Sequence, residues 1–526
     1  MGALDWLVLL GYFGVMVGIG LWARARIRSA RDFFVAGGRM PWWLSGISHH
    51  MSGYSAAVFV GYAAVAYTHG FTLYVWWAIP ITIAMLVGAA TFAPRWPRLR
   101  RRLGIISPLE YLATRYDVPT QQLLAWSGTA LKVFDVGAKW AATAILLEVF
   151  AGVPLAWGIL LTGGVTLVYS TVGGLWADAL TDFGQFVIQA LAGLTLFVAV
   201  LTRLGGIPAL WEVWDRLPPE HARPFNGEYT VVFVLAYVLI STLSYNGGTW
   251  NLAQRFIAAP SGESARRAAL LSAGLYLLWP LVLFFPMWAA PLLLPDLEDP
   301  SQSYALLTTQ LLPAGLVGLV LAGMFAHTMA MTSSDANAIS AVVIRDILPR
   351  LWKGARSMSG RVELAAGRFS VFTFIALSMV IALAADSFGG VLGLIVLWFG
   401  ALVGPIAIPM LLGMLPAFRR CGPSAAVVSW AGGLVVFTLV KYVFDDSIAA
   451  LGGDLQTTFT VAGPVLCALL LFVAVGYLRP SRDSRALALV AALTRDEDEP
   501  EPTGRANSSA ADVGSSPPHG RGGPRA

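Results

Sequence analysis

The chain has 526 residues, of which 57% are hydrophobic and only 12% are charged, and its formal net charge is +5. Soluble globular proteins carry about 25% charged residues, so half that density cannot cover the surface of a water-soluble protein of this length. The composition excludes a string of soluble domains and indicates a polytopic membrane protein. The two cysteines, Cys421 and Cys467, lie far apart, and we expect neither a disulfide nor a metal site from them.

The apolar stretches are long enough to form transmembrane helices. A helix needs about 20 apolar residues to cross the hydrocarbon core of a bilayer, and thirteen such stretches follow one another along the chain. The first lacks a basic leader and a small-residue cleavage site, so we expect a retained helix rather than a signal peptide. The predicted spans begin near Leu4, Trp42, Phe71, Leu123, Leu155, Phe183, Thr230, Ala268, Pro313, Gly367, Gly390, Ser424 and Thr458.

The basic residues orient these spans. With the N-terminus outside, the cytoplasmic loops and tail hold 29 Lys and Arg residues, Arg255 among them, whereas the outer loops hold only three. Cytoplasmic loops of membrane proteins are enriched in Lys and Arg. We therefore predict that the N-terminus is outside and the C-terminus inside. Lys132, Lys139 and Lys441 fall within predicted spans.

The last part of the chain differs in composition from the rest. It is rich in Pro, Gly, Ser and charged residues and includes the run DEDEPEPTG. Such a segment cannot bury enough apolar surface to fold. We expect residues 1–480 to form the transmembrane domain and residues 481–526 to form a disordered cytoplasmic tail.

Polar clusters interrupt several of the apolar spans. The second span contains the sequence SHHMSGYS at residues 48–55, and the ninth contains His327 and the run Thr332 to Asn337. Main chain that is not helical is tolerated within a bilayer only where protein buries it or where it lines a cavity. Because Gly weakens a helix interior by about 1 kcal/mol, we predict a break centred on Gly53 and a binding site beside it.

These clusters resemble, in family order, motifs of the sodium:solute symporter family, which includes carriers of sugars, proline, pantothenate and sialic acid. The resemblance covers about residues 5–480. It implies an all-α fold with a LeuT-like core, in which spans two to six and seven to eleven form two repeats of inverted topology that bind solute and ion near the midplane. The matching blocks are Asp32-Phe-Phe-Val-Ala-Gly-Gly-Arg39, Ser107-Pro-Leu-Glu110-Tyr111, Tyr169 to Gln185, Gln254-Arg255 and Asn337 to Asp346.

The resemblance implies one sodium site at the broken second span. Its main-chain carbonyl ligands would come from Met51, Tyr54 and His327, and two hydroxyl groups on the ninth span would complete the shell. In this chain, the hydroxyl positions are Ala330 and Met331, whose side chains cannot coordinate a hard cation.

A second sodium site, found in some members, lies one turn further along the ninth span. Its ligands would be Asp182, Ser333 and Ser334, all of which are present. Hard cations prefer oxygen ligands, and the carboxylate supplies a compensating charge. We expect a cation here, the alternative being that these groups only hydrogen-bond to helix main chain. Asp178, four residues earlier, is expected at the cytoplasmic mouth.

Other polar residues within the spans have two interpretations. Lys132, Asp135 and Lys139 share one helical face, and we expect a structural ion-pair stripe, with a substrate-binding role as the alternative. His50 and His327 lie beside the first sodium site. Ionisable residues within a membrane are candidates for function, but hydrogen-bonded histidines without a coupling role are equally compatible with this placement.

The predicted substrate pocket is mainly aromatic. By the resemblance, Tyr245 is the aromatic residue that closes the pocket inward in sugar-carrying members, and Tyr276 replaces a lysine. A small neutral or zwitterionic solute fits such a pocket best. The predicted pocket residues are His50, Ser55, Trp77, Tyr245, Tyr276 and Trp398.

The predicted function is secondary active transport. We expect sodium-coupled symport of a small organic solute (a sugar, an amino acid or a carboxylate) across the cell membrane by alternating access. A proton-coupled or uncoupled carrier of the same fold, or a membrane sensor built on it, remains the alternative. The sequence has no P-loop, nucleophile elbow or zinc-protease motif, so we expect no enzyme activity. The expected partners are the solute, sodium as coupling ion and the lipid bilayer, with no other cofactor, no nucleic acid and no obligate protein partner.

Overall fold

The computed structural model describes residues 1–25, 27–388, 403–450 and 453–494, and the long elements of this part of the chain are all helices. In chain order they are α1 (Ala3–Arg24), α2 (Ala30–Val35), α3 (Trp42–Met51), α4 (Gly61–His69), α5 (Thr72–Ala90), α6 (Arg95–Leu103), α7 (Leu112–Arg115), α8 (Val118–Ala151), α9 (Leu155–Arg203), α10 (Ala209–Arg216), α11 (Val231–Leu243), α12 (Asn251–Ile257), α13 (Gly262–Leu293), α14 (Ser303–Leu311), α15 (Leu316–Val342), α16 (Leu348–Leu351), α17 (Gly360–Leu383), α18 (Gly404–Leu412), α19 (Pro423–Thr438), α20 (Asp445–Ala449), α21 (Gly453–Leu478) and α22 (Ser484–Thr494).

Most of the predicted spans are present as long apolar helices. Within the described ranges, nine helical segments are long and apolar enough to cross a membrane, and they cover ten predicted spans. Of the other three, the second is split into α3 and α4, the fourth is α8 with its charged residues, and the start of the eleventh, near Gly390, lies outside the described residues. The total of thirteen spans remains a prediction.

The predicted fifth and sixth spans form the single bent helix α9. Gly174 lies at the bend with φ 49° and ψ −156°, and a Cβ atom there would lie 2.6 Å from the main-chain oxygen of Phe33. Only glycine fits this backbone and this contact. The helix resumes directly after the bend rather than near Phe183, so Asp178 and Asp182 lie on a helix instead of in a connecting loop.

Helix α15 lies at the centre of the bundle. It packs against α1, α8, α9 and α17. Of the residues in an apolar 18-residue stretch of this span, 89% are buried, compared with 28% in the corresponding stretch of α17. Buried polar groups must find hydrogen-bond partners. The polar residues of α15 therefore require hydrogen-bonding side chains on the neighbouring helices. The candidate site is formed by these residues and their partners.

The C-terminal boundary of the folded unit differs from the prediction. The compact unit extends from Met1 to Thr494, and it includes α22 (Ser484–Thr494), which lies inside the predicted disordered tail. Leu489 and Leu493 are four residues apart, as on one face of a helix, and both are buried. The sequence analysis missed this apolar face because it judged the segment by its mainly polar composition. The prediction of disorder was wrong for α22, and residues 495–526 lie outside the described part of the chain.

Candidate functional site

The predicted break in the second span is confirmed. Helix α3 ends at Met51, and a 3₁₀ turn begins only at Ala56. A Cβ atom at Gly53 would collide with the hydroxyl group of Tyr276, which explains why glycine is needed at this point. The Ala56 N–H donates to Thr328 Oγ1 on α15 at 2.9 Å. A main-chain N–H group that the break leaves without a helical partner thus finds a hydrogen-bond acceptor on the central helix.

A second break separates α11 from α12, and the sequence analysis did not predict it. Trp250, between these helices, has φ 66°. The two breaks are bonded to each other: the Tyr245 hydroxyl donates to the Gly53 carbonyl oxygen at 2.9 Å, and Asn251 Nδ2 donates to the Ser52 carbonyl oxygen at 3.2 Å. Each predicted repeat therefore begins with a broken helix, as in transporters built from inverted repeats.

Arg255, on α12, is the centre of a buried polar network. Its side chain has no exposed area, and its Nη2 lies 2.5 Å from Asp178 Oδ2 and 3.2 Å from Asp182 Oδ2, both on α9. The same nitrogen donates to Ser334 Oγ on α15, and Nε donates to Ser48 Oγ on α3 at 3.0 Å. Four elements are thus joined by a single guanidinium group.

The sequence-predicted cation ligands Asp182, Ser333 and Ser334 meet in this network. Ser333 Oγ donates to Asp178 Oδ1, and Ser334 Oγ donates to Asp178 Oδ2 at 3.1 Å. Within the described residues, Asp182 Oδ1 has no hydrogen-bond partner although it is buried. We call Asp178, Asp182, Arg255, Ser333 and Ser334 the inner network. Its two carboxyl groups and one guanidinium give a formal net charge of −1.

One member of the inner network was misplaced by the sequence analysis. Arg255 was counted as a residue of a cytoplasmic loop, yet it is buried. Asp178, expected at the cytoplasmic mouth, is also buried, and its position at that mouth stays a prediction. An Arg that follows a long apolar stretch has the same sequence signature whether it flanks the membrane or pairs inside it. The spacing of Asp178 and Asp182, four residues apart, is the signal that indicates an arginine paired inside the bundle. It puts both carboxylates on one helical face, where they need a cationic partner.

The residues predicted to supply carbonyl ligands to the other sodium site are buried in the bundle. Met51, Tyr54 and His327 are all buried, and the rings of Tyr54 and His327 have centroids 4.1 Å apart. The Ala330 carbonyl oxygen accepts hydrogen bonds from both serines of the inner network, whereas Met331 lines a cavity. Sodium binding by these carbonyl groups stays a prediction.

A cavity of about 290 Å³ lies beside the two breaks, and its lining contains no residue of the inner network. It extends from Gly53 to Tyr229, just before α11, which is the side that the basic-residue count places outside. We call it the outer cavity. Its aromatic lining residues are Tyr54, Tyr62, Trp76, Tyr229, Tyr237 and Tyr245.

Two of the predicted pocket residues, Ser55 and Tyr245, line the outer cavity. Ser55 lies in the break of the second span, and Tyr245 reaches the same break from the end of α11 through its bond to Gly53. Trp398 lies outside the described residues. The prediction of an aromatic pocket at the broken helices thus agrees with the cavity for these two residues.

Three other predicted pocket residues, His50, Trp77 and Tyr276, do not line the outer cavity. They are buried one layer behind it, because the Tyr276 ring packs on His50 with centroids 4.6 Å apart and Trp77 packs on Tyr54 at 5.3 Å. Tyr54, which does line the cavity, also bonds to His50 Nε2 at 3.2 Å. These aromatic residues support the cavity wall.

The ion-pair stripe of α8 is present and includes a fourth residue. Lys132 Nζ lies 3.1 Å from Asp135 and 2.7 Å from Asp335 of α15, and Lys139 Nζ lies 2.8 Å and 2.7 Å from the same two carboxylates. This quartet of two lysines and two aspartates is neutral overall. Because Asp135 and Lys139 also line the outer cavity, the structural role does not exclude contact with a solute.

Comparison with known proteins agrees with this architecture. The sequence model of the Sodium:solute symporter family matches residues 33–433. The sodium/sialic acid symporter SiaT of Proteus mirabilis is 25% identical over 486 residues, covering 88% of this chain and 95% of the relative. The human sodium/iodide cotransporter is 31% identical over 453 residues, covering 81% and 68%.

Solved structures share the fold. A substrate-bound, outward-open sodium-coupled sialic acid symporter superposes with a TM-score of 0.79 at 22% identity, covering 91% of this chain and 99% of that one. The nucleobase-cation symporter Mhp1 in a closed conformation gives a TM-score of 0.52 at 14% identity, covering 89% and 99%.

The broken helices, the central α15 and these structural matches define a membrane carrier with a LeuT-like fold. Since the family match covers most of its length, the chain belongs to the sodium:solute symporter family. It is a multi-pass transporter of the cell membrane, not an enzyme, and it couples solute symport to sodium. The alternative of a proton-coupled or uncoupled carrier is not favoured.

Proposed function

We propose that the transported solute is a small zwitterion with an apolar or aromatic body, such as an amino acid, and that it binds in the outer cavity. The observation that carries this proposal is the presence of Asp135 and Lys139 side by side in the cavity lining. A solute carboxylate beside Lys139 and a solute ammonium beside Asp135 match both charges. A monoanion or a monocation instead meets one like charge, which is costly where water is largely excluded.

The remainder of the lining favours an apolar body on this solute. Besides the aromatic residues, Val58, Val65, Ile240 and Leu252 face the cavity. Burial of apolar solute surface against them contributes about 25 cal/mol per Å². A sugar, whose surface is covered with hydroxyl groups, buries less apolar surface against these side chains and gains less from them.

We propose that sodium binds among Asp182, Ser333 and Ser334. In support, the formal net charge of the inner network is −1, and Asp182 Oδ1 is buried and holds no hydrogen bond among the described side chains. A cation at this position shares Asp182 with Arg255, which keeps its shorter contact to Asp178. Bound sodium brings the inner network to neutrality.

The contacts of Ser52 provide a route from sodium to solute. Its Oγ lies 2.8 Å from Ser334 Oγ and 3.4 Å from Asp182 Oδ2, while its carbonyl oxygen accepts from Asn251. The next residue, Gly53, lines the outer cavity. Sodium binding that reorganises Ser334 and Asp182 therefore acts on main chain adjoining the solute, within the two breaks that are bonded to each other.

The experiment is uptake into proteoliposomes under an imposed sodium gradient. Four solutes that share one size range test the charge requirement: phenylalanine, phenethylamine, 3-phenylpropionate and galactose. We expect sodium-driven uptake of the zwitterion only. The matched variant Asp135→Asn/Lys139→Gln keeps the neutral pair Lys132–Asp335, so it should fold and lose the preference for the zwitterion. Preferred uptake of the sugar, or unchanged selectivity in the double variant, would contradict the proposal.

A further inference from the structure

A groove on the side of the bundle lies between α8, the end of α15 and α17, and it shares no lining residue with the outer cavity. Its volume is about 360 Å³, and none of its described lining residues is ionisable. Phe369 and Leu377 of α17 line it and are exposed, so the groove opens to the outside of the bundle, where a membrane carrier meets lipid. Its other large apolar residues are Val133, Ile339, Val343, Ile344, Leu348 and Phe374.

The groove has the length of one leaflet of a bilayer. Along α17 its lining extends from Ala366 to Leu377, a distance of about 16 Å at 1.5 Å per residue. The hydrocarbon core of a bilayer is about 30 Å thick, so each leaflet provides about half of that. Because α17 begins at Gly360, directly after a connection that is predicted to be cytoplasmic, the groove lies in the cytoplasmic half of the membrane. An acyl chain of that leaflet therefore matches it in length and in chemistry.

The connection at the cytoplasmic end of the groove is strongly basic. Residues 345–368 contain six Lys and Arg residues and only two acidic ones, a formal surplus of four positive charges. Both acidic residues have partners within the protein: Asp346 Oδ1 accepts from Gln121 Nε2 at 2.7 Å, and Glu363 Oε1 lies 3.4 Å from Arg345 Nη1. The exposed basic residues of the connection are Arg350, Lys353, Arg356 and Arg361. This surface favours an anionic group from outside the protein.

The same connection has the features of a segment that lies on the membrane surface. Leu351 and Trp352 are exposed among its basic residues, and Trp is enriched where protein meets the headgroup layer. The cytoplasmic leaflet carries anionic lipids, which attract basic segments next to a transmembrane helix. Arg350 comes two residues after the groove residue Leu348, and Arg361 comes five residues before Ala366. We propose that the groove binds one acyl chain of an anionic phospholipid, whose phosphate group is held by Arg350 and Arg361.

A π-helical turn, Val343–Ile347, connects this lipid site to the central helix. Turns of this type occur frequently at functional sites. Val343 and Ile344 line the groove, whereas the next residue, Arg345, donates through Nε to Glu110 Oε1 at 2.9 Å. Glu110 lies in the connection between α6 and α7. A lipid in the groove therefore packs on the turn that joins the end of α15 to this connection, and it stabilises their contact.

The test is native mass spectrometry of the full-length protein, titrated with phosphatidylglycerol or phosphatidylcholine of identical acyl chains. We expect one phosphatidylglycerol to bind about tenfold more tightly than phosphatidylcholine. Arg350→Gln/Arg361→Gln should remove this preference, and the matched variant Arg419→Gln/Arg420→Gln, in another connection predicted to be cytoplasmic, should keep it. Ala366→Phe fills the groove and should weaken both lipids, whereas the same change at its exposed neighbour, Ala365→Phe, should not.

Three results would overturn the proposal. Equal binding of the two lipids, or a preference that survives in Arg350→Gln/Arg361→Gln, would exclude the headgroup contact. Unchanged binding in Ala366→Phe, or displacement of phosphatidylglycerol by an equal concentration of inorganic phosphate, would exclude the acyl chain from the groove. A dimer that binds the lipid only after it dissociates would make a second copy of this chain the occupant.

A second measurement uses the wild-type protein and does not depend on whether any variant folds. A phosphatidylglycerol with a photoreactive diazirine halfway along one acyl chain is incorporated into proteoliposomes, and the labelled residues are identified by peptide mass spectrometry. We expect label on α17 between Phe369 and Leu377, and about tenfold less of it when the host lipid is phosphatidylglycerol rather than phosphatidylcholine. Label that spreads equally over α1 and α11, or that does not depend on the host lipid, would contradict a lipid site in this groove.

Discussion

Asp182→Asn is the most direct test of the proposed sodium position. The change removes one charge while side-chain size and the hydrogen bond from Ser48 Oγ, 2.5 Å from Asp182 Oδ2, can be kept. If sodium binds at the proposed position in the wild-type protein, it brings the inner network from a formal charge of −1 to neutrality. In the variant, the network is neutral without sodium, because Arg255 keeps Asp178, and sodium adds an uncompensated positive charge.

The magnitude follows from the burial of this site. Asp182 and Arg255 have no exposed side-chain area, and leaving a buried charge without its partner costs about 3–5 kcal/mol. At 1.4 kcal/mol per factor of ten, even the lower limit raises the sodium concentration for half-maximal uptake by about 100-fold. Sodium titration of initial uptake rates in proteoliposomes measures this shift directly.

The matched control is Asp5→Asn, an identical change at a buried carboxylate of α1. Asp5 Oδ1 accepts hydrogen bonds from the main-chain N–H groups of Gly315 and Gly318, at the opposite end of the bundle from the inner network. This variant should keep the wild-type sodium curve. A wild-type sodium curve in Asp182→Asn, or an equal shift in both variants, would refute the charge argument and leave Asp182 a structural residue.

The same contacts give three other expectations. Ser334→Ala should raise the half-maximal sodium concentration about fivefold, because one neutral ligand contributes about 1 kcal/mol; an unchanged titration would contradict its role. Arg255→Met leaves two buried carboxylates side by side, so its melting temperature in detergent should be low without sodium and should rise with sodium more than that of the wild type. Lys139→Met should lower the folded yield by size-exclusion chromatography, and adding Asp335→Asn should restore it, because removing one partner of a buried pair costs more than removing both. No restoration would mean that Lys139 acts alone.

The features that could be predicted from sequence are those that local composition encodes. The break at Gly53 follows from eight consecutive residues that are too polar and too poor in helix formers for a membrane helix. The break before Asn251 has a weaker signal, although Gly247-Gly248 lies within it. Only the contacts between the breaks, through Tyr245 and Ser52, show that they form one unit, and these contacts depend on packing between distant segments.

The inner network shows the opposite case. Asp182, Ser333 and Ser334 were expected together through the family resemblance, but the group that joins them, Arg255, was assigned to the membrane surface. Counting charges by loop is an average rule, and it cannot recognise a single arginine that pairs inside the bundle. The predicted pocket residues His50, Trp77 and Tyr276 lie behind the cavity wall for a related reason. The sequence places aromatic residues near a site but does not distinguish the residues that line it from those packed behind them.

The net charge of the inner network has an electrical consequence. Counted by formal charge and without the proposed sodium ion, the inner network holds one negative charge inside the membrane, and an inside-negative potential pushes this charge outward. One charge that crosses the whole field changes in energy by about 2.3 kcal/mol per 100 mV. If sodium binds at the proposed position, the potential favours the empty carrier with its cavity towards the outside, whereas the sodium-loaded, neutral network crosses without opposing the field. In a polarised cell, the voltage acts mainly on the return of the empty carrier, so depolarisation should slow turnover at low external sodium.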